Sequence, residues 1–127
     1  MNIESFEIGC EKLGFDPLTC KPDISMVPER FQKAITATFE MYVICEASRE
    51  GKVPDWNDSS ERKWMPWFDM EVDENNPSGF RFYDSYYSYT HTFSAGGSRL
   101  CYRSENESDW HAKQHIDKYR DMMVIPK

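Results

Sequence analysis

The sequence predicts an α+β fold, a three- to four-stranded antiparallel meander packed against two to three helices in a single domain spanning residues 1–127. Two observations carry that prediction. The period of the apolar residues changes after Lys52, from the helical spacing before Gly51 to a two-residue alternation. A helix-start pattern at Ser104 then closes the chain, so helices, a meander and a last helix follow in order, the layout in which helices cover one sheet face. The length is that of one ordinary domain, which buries enough surface to fold without a disulfide or metal staple. Eight Phe, seven Tyr and four Trp offset a modest apolar fraction of 39%, so the core should be rich in rings.

The first helix is predicted from about Ile3 to Leu13, with Ile3, Phe6, Cys10 and Leu13 on one side and Gly14 as its stop. Gly9 in its middle argues against it, because glycine weakens a helix interior. FDPLTCKPDISMVP carries three prolines and reads as an extended connection. The second helix, PERFQKAITATFEMYVICEASRE, has Pro28 and Glu29 in its first turn and Gly51 after its last. Phe31, Ile35, Thr38, Tyr42 and Cys45 form its predicted buried stripe, widened by Met41, Val43 and Ile44, which suggests a helix covered on more than one side.

KWMPWFDMEVD reads as a strand because Phe68, Met70 and Val72 alternate with Trp67, Asp69, Glu71 and Asp73, and Pro66 puts it at a sheet edge. After the turn ENNPSG, FRFYDSYYSYTHTF supplies one bent strand or two short ones, and SAGGS leads to a further strand, RLCYR. Ser104-Glu-Asn-Glu107 is a capping-box pattern, and Ala112, Ile116, Tyr119 and Met123 mark the buried side of the helix that follows it.

Charge excludes some functions. The net charge is −7, and seven acids against two bases between Asp55 and Glu74 place −5 of it in one segment. Nucleic-acid and anionic-membrane binding rest on clustered Lys and Arg, so neither is expected. Cys10, Cys20, Cys45 and Cys101 show no CxxC pair, and charges interrupt the N-terminal apolar residues, so the expectation is a reduced thiol set in the cytoplasm. No apolar run approaches the ~20 residues of a membrane span.

Three constellations could carry chemistry. On a strand, Asp69, Glu71 and Asp73 would share one face about 7 Å apart, a spacing that could hold a cation or pair two carboxylates for hydrolysis. The plainer reading is the charged, wet face of an edge strand. The loop DWNDSSE offers Asp55, Asn57 and Ser59 at alternating positions like a calcium loop, but Ser60 and Pro66 stand where that motif needs Gly and a bidentate Glu. His111 and His115, at i and i+4, are weak metal candidates, because HExxH is absent and two exposed histidines on a wet face are the simpler account. No phosphate-cradling glycine motif and no strained serine elbow occurs, and no cofactor is expected.

Half of the residues in FRFYDSYYSYTHTF are aromatic, which suggests either a carbohydrate-stacking surface or the packed material of a small sheet; packing is favoured. PERFQKAITATFEMYVICEASREGKVPDWND, PWFDMEV, GFRFYDS and GSRLCYRSENESDWHAKQHIDKYRDMM together resemble a family of small uncharacterised prophage and mobile-element proteins of gut anaerobic bacteria. That resemblance spans about residues 10–125 and implies a phage-like genetic setting, with no activity and no catalytic residue to carry over. The leading expectation is therefore a non-enzymatic protein-interaction module. Trp56, Trp64, Trp67 and Tyr86 are its candidate anchors, with Asp69, Glu71 and Asp73 beside them. The alternatives are a carboxylate-based or metal-assisted hydrolase using residues 69–73 and a carbohydrate-binding module using residues 80–93.

Overall fold

The computed structural model describes residues 1–94 and 96–126. Four helices and a two-stranded antiparallel sheet follow in the order α1 (Phe6–Leu13), α2 (Glu29–Ser48), β1 (Lys63–Asp69), β2 (Arg81–Ser88), α3 (Glu105–Gln114) and α4 (Ile116–Met123). The α+β class is as predicted; the sheet is smaller than predicted.

Local chemistry fixes the helix ends. Ser5 accepts a hydrogen bond from the Ile8 N–H to start α1, and Gly14, at φ 79°, stops it in the left-handed region that glycine enters without steric cost. The mid-helix Gly9 is explained by packing: a Cβ there would lie 3.3 Å from Cγ1 of Val43, so its absence lets α1 settle closely on α2. Ser104 caps α3 by accepting from the Glu107 N–H at 3.1 Å. The final helix is two helices, broken at His115, whose φ of −112° and ψ of 31° leave the helical region.

α2 buries Ala37, Met41, Ile44 and Ser48, spaced i, i+4, i+7 and i+11. Ile3, Phe6 and Cys10 cover that side from the N-terminal segment and α1, and Phe80, Tyr102 and Tyr119 complete one hydrophobic cluster. Deep in it the hydroxyls of Tyr102 and Tyr119 meet at 2.7 Å, so both polar tips are satisfied. Glu40, at the margin of the cluster, holds Lys21 at 3.0 Å and Lys118 at 2.7 Å, which ties α2 to the proline-rich connection and to α4. Burial alone would raise its carboxyl, but the two ammonium groups keep it below the usual carboxylate range.

β1 and β2 pair from Lys63↔Ser88 to Asp69↔Arg81, with a bulge between Trp67 and Phe68. β1 ends at Asp69, four residues before the predicted strand would. The Asp69 carboxylate accepts from the Glu71 N–H at 3.0 Å, and the Asn76 amide donates to the carbonyls of Asp69 and Glu71, which turns the chain out of the sheet. RLCYR gives a single bridge, Trp64↔Tyr102, and no strand. On the next rung Pro66 would stand opposite Leu100 and has no N–H to donate; the carbonyls of Arg99 and Cys101, which point away from β1, accept from the Arg49 guanidinium, and Ser104 begins the α3 cap directly afterwards.

Candidate functional site

The predicted buried stripe of α2 is for the most part uncovered. Phe31, Ile35 and Tyr42 are 48%, 39% and 36% exposed, and with Ala34, Thr38 and Phe39 they line an almost wholly apolar groove of about 480 Å³. The reason is geometric. The buried stripe beginning at Ala37 lies about 120° around the helix from the one beginning at Phe31, and α1 and α4, the helices that pack on α2, cover only the former. Phe31 to Tyr42 spans eleven rises, about 16 Å, or three helical turns. Both ends of the groove carry a guanidinium group: Arg30 sits 4.8 Å over the Phe31 ring and Arg99 sits 5.6 Å over the Tyr42 ring. Sequence reasoning assigned Phe31, Ile35, Thr38 and Tyr42 to the core together with Cys45, and only Cys45 is buried. The signal that could have found them is the presence of two complete apolar stripes on one helix in a chain with little else to cover the second.

The four candidate anchors divide. Trp56 is half-buried and donates from its indole N–H to the Ser98 hydroxyl at 2.6 Å. Trp64 is half-buried against the core and pairs across the strands with Tyr87. Trp67 and Tyr86 are exposed, and with Phe93 they form a second aromatic patch on the other sheet face, at centroid distances of 5.2 Å (Trp67–Tyr86) and 5.8 Å (Trp67–Phe93). Those rings meet edge to face, at 67° and 74°. Within the ribbon Phe80 is buried and Phe82 half-buried, whereas Tyr83, Tyr86 and Tyr87 are exposed. Packing therefore accounts for Phe80 and Phe82 and not for Phe93 or most of the tyrosines.

Asp69, Glu71 and Asp73 do not form a row on a sheet face. Asp69 is paired with Arg81 at 2.9 Å, and Glu71 and Asp73 lie on the turn beyond β1, where the Asp73 carboxylate accepts from the Asn75 N–H. The loop that imitates a calcium site is built around a cation of its own. The Lys63 ammonium is buried and donates to the carbonyls of Asp58 at 3.1 Å, Glu61 at 2.9 Å and Tyr89 at 2.6 Å.

His111 and His115 are buried and not solvated, because they clamp the backbone of one residue. Nε2 of His111 accepts from the Ile3 N–H at 3.0 Å while its Nδ1–H donates to the Glu107 carbonyl, and Nε2–H of His115 donates to the Ile3 carbonyl at 2.7 Å. The i, i+4 spacing thus matches the two polar groups of a single peptide residue. Burial favours the neutral ring and pushes His111 down to about 4, and His115 down as well. His91 is elsewhere, exposed and bonded to the Thr90 hydroxyl. Among the described residues no group of three or more His, Cys, Asp or Glu could hold a metal ion, and no helix is long and apolar enough to cross a membrane. No protein-family model, curated protein or solved structure matches the chain.

Proposed function

We propose that the chain is a protein-interaction module that docks an amphipathic helix of a different protein on the exposed face of α2. The observation that carries this reading is the unpartnered stripe Phe31, Ile35, Thr38 and Tyr42, whose spacing is the one by which helices pack in grooves. Charge selects the partner. A helix whose apolar face is flanked by Asp or Glu would meet Arg30 at one end and Arg99 at the other. A second copy packed antiparallel would bring Arg30 of one chain against Arg99 of the other, and like charges so placed oppose assembly. The patch of Trp67, Tyr86 and Phe93 is a second exposed aromatic surface that could make a smaller contact of the same kind.

The two alternative readings draw less support. A carboxylate or metal-assisted hydrolase needs groups that converge, and the carboxylates of residues 69–73 stand on a turn while both helix histidines are engaged with Ile3. Sugar stacking favours rings that present a common flat face, and those of Trp67, Tyr86 and Phe93 are edge to face. The phage or mobile-element setting rests on the sequence resemblance alone; neighbouring capsid, tail or replication genes would support it.

The test uses retained partners from native cells followed by measurement with the purified partner segment. Ile35→Asp, on an exposed position, should leave the circular dichroism spectrum unchanged and weaken binding of that segment by about 30-fold, the usual loss for a central anchor of about 2 kcal/mol. Undiminished binding to Ile35→Asp, or sedimentation showing the face occupied by a second copy, would overturn the reading.

A further inference from the structure

A cavity of about 430 Å³ lies between the end of α2, the loop after it, the start of β1 and the segment before α3. Its charged lining is Arg49, Lys52, Arg62, Lys63 and Arg103 against the lone acid Glu61, the inverse of a chain whose net charge is −7. Two of these cations are buried, Arg49 at 6% exposure and Lys63 at 1%. Carbonyls, not carboxylates, hold them. Arg49 donates from Nε to Lys52 O at 3.2 Å and from Nη1 to Arg99 O at 3.3 Å and Cys101 O at 3.0 Å, and it makes no ion pair among the described residues. Lys63 has only the partly exposed Glu61 at 3.6 Å. Carbonyl dipoles orient a buried cation but do not cancel its charge, so a cavity beside two such groups favours an anion.

We infer that this cavity binds the phosphate group of a small phosphate monoester. The number of cations favours a dianion over a carboxylate. Arg49 has committed Nε and Nη1 to carbonyls, so its two-pronged grip is taken for either kind of anion; Nη2 has no protein acceptor among the described residues and is left to donate singly. The other charges come from separate segments of the chain: Lys52 has no ion pair among the described residues, Arg103 is turned to Glu50 at 2.7 Å and Arg62 lies over the Tyr87 ring. A tetrahedral dianion accepts from several directions at once, and Val53 and Pro54 offer an apolar wall to the rest of the ligand. Glu61 and the acidic segment beginning at Asp55 oppose a long polyanion such as nucleic acid. The site is distinct from the α2 groove and stands whether or not that groove docks a helix.

Calorimetry on the full chain with phenyl phosphate, inorganic phosphate, benzoate and a single-stranded DNA oligomer tests it. Saturable binding of one phenyl phosphate per chain, weaker binding of inorganic phosphate, and amide shifts at Arg49 and Cys101 are expected. The double substitution Lys52→Gln and Arg103→Gln changes only rim side chains and should weaken phenyl phosphate about tenfold; Arg49→Met, if folded, should abolish binding. No saturable heat up to about 10 mM phenyl phosphate would overturn the inference. Equal affinity for benzoate, tighter binding of DNA, or a rim variant indistinguishable from the parent would overturn it too.

Discussion

Lowering the pH from 7 to 5 should destabilise the fold by about 2 kcal/mol through His111 alone. In the folded chain this ring is neutral and pushed down to about 4, whereas in the unfolded chain it titrates near 6.5. The unfolded state therefore binds more protons throughout that window, and stability falls as pH falls through it. Linkage over these two values gives a penalty of ~0.2 kcal/mol at pH 7 and ~2.0 kcal/mol at pH 5. Glu40, Glu107, Lys118 and His115 also face this region; the two carboxylates lie below their ordinary range and lose stability chiefly at lower pH, while His115 adds to the loss in the same direction. His111→Gln keeps an acceptor for the Ile3 N–H but does not titrate. Urea unfolding followed by tryptophan fluorescence at both pH values should show a drop smaller by about 2 kcal/mol in the variant than in the parent. Equal drops would refute the argument, and so would a His111 resonance in the folded parent titrating above pH 6, a measurement that needs no variant.

Other predictions follow from the same contacts. Lys63→Met leaves three carbonyls without their buried donor and should cost about 2–3 kcal/mol in urea unfolding, with no gain of calcium affinity by the surrounding loop; an unchanged midpoint would count against the ammonium as the loop's organiser. The Sγ atoms of Cys10 and Cys20 lie 3.8 Å apart, so peroxide should oxidise the half-buried Cys20 to a sulfenic acid, which the Cys10 thiol then resolves with release of water. Closing that ten-residue loop should stabilise the fold by up to about 3 kcal/mol. Peptide mapping showing no Cys10–Cys20 link after peroxide would contradict it. Because burial, and then Cys20, raise the Cys10 thiol to about 11, its attack should be slow at neutral pH and quicken in alkali.

Features fixed by a few neighbouring residues were legible in the sequence. Gly14 and Ser104 set helix boundaries through bonds that span three or four residues, and the structure places the end of α1 and the start of α3 where those signals do, whereas α1 starts at Phe6 behind a Ser5 cap and not near Ile3 as predicted. Features that depend on which element arrives opposite were not. Two stripes on α2 compete for cover, and only the geometry of α1 and α4 decides that Ala37, Met41, Ile44 and Ser48 win. His111 and His115 read as a wet pair because nothing in their own helix announces that Ile3, more than a hundred residues earlier, will lie between them. RLCYR has the composition of a strand, but its ladder stops at one bridge, because the next rung would meet Pro66, a residue with no N–H. Trp67 and Tyr86 were found as exposed aromatics, while the larger apolar surface was hidden by its resemblance to a core.

The most direct test of the interaction reading is a benzophenone side chain installed at position 35 and irradiated in the native cell. The account predicts a covalent adduct with a different polypeptide, mapped to an apolar helical segment flanked by Asp or Glu, and loss of that adduct when Tyr42→Asp is combined with the probe. An adduct only with a second copy of the chain, or none beyond that seen with the probe at the buried position 44, would contradict it.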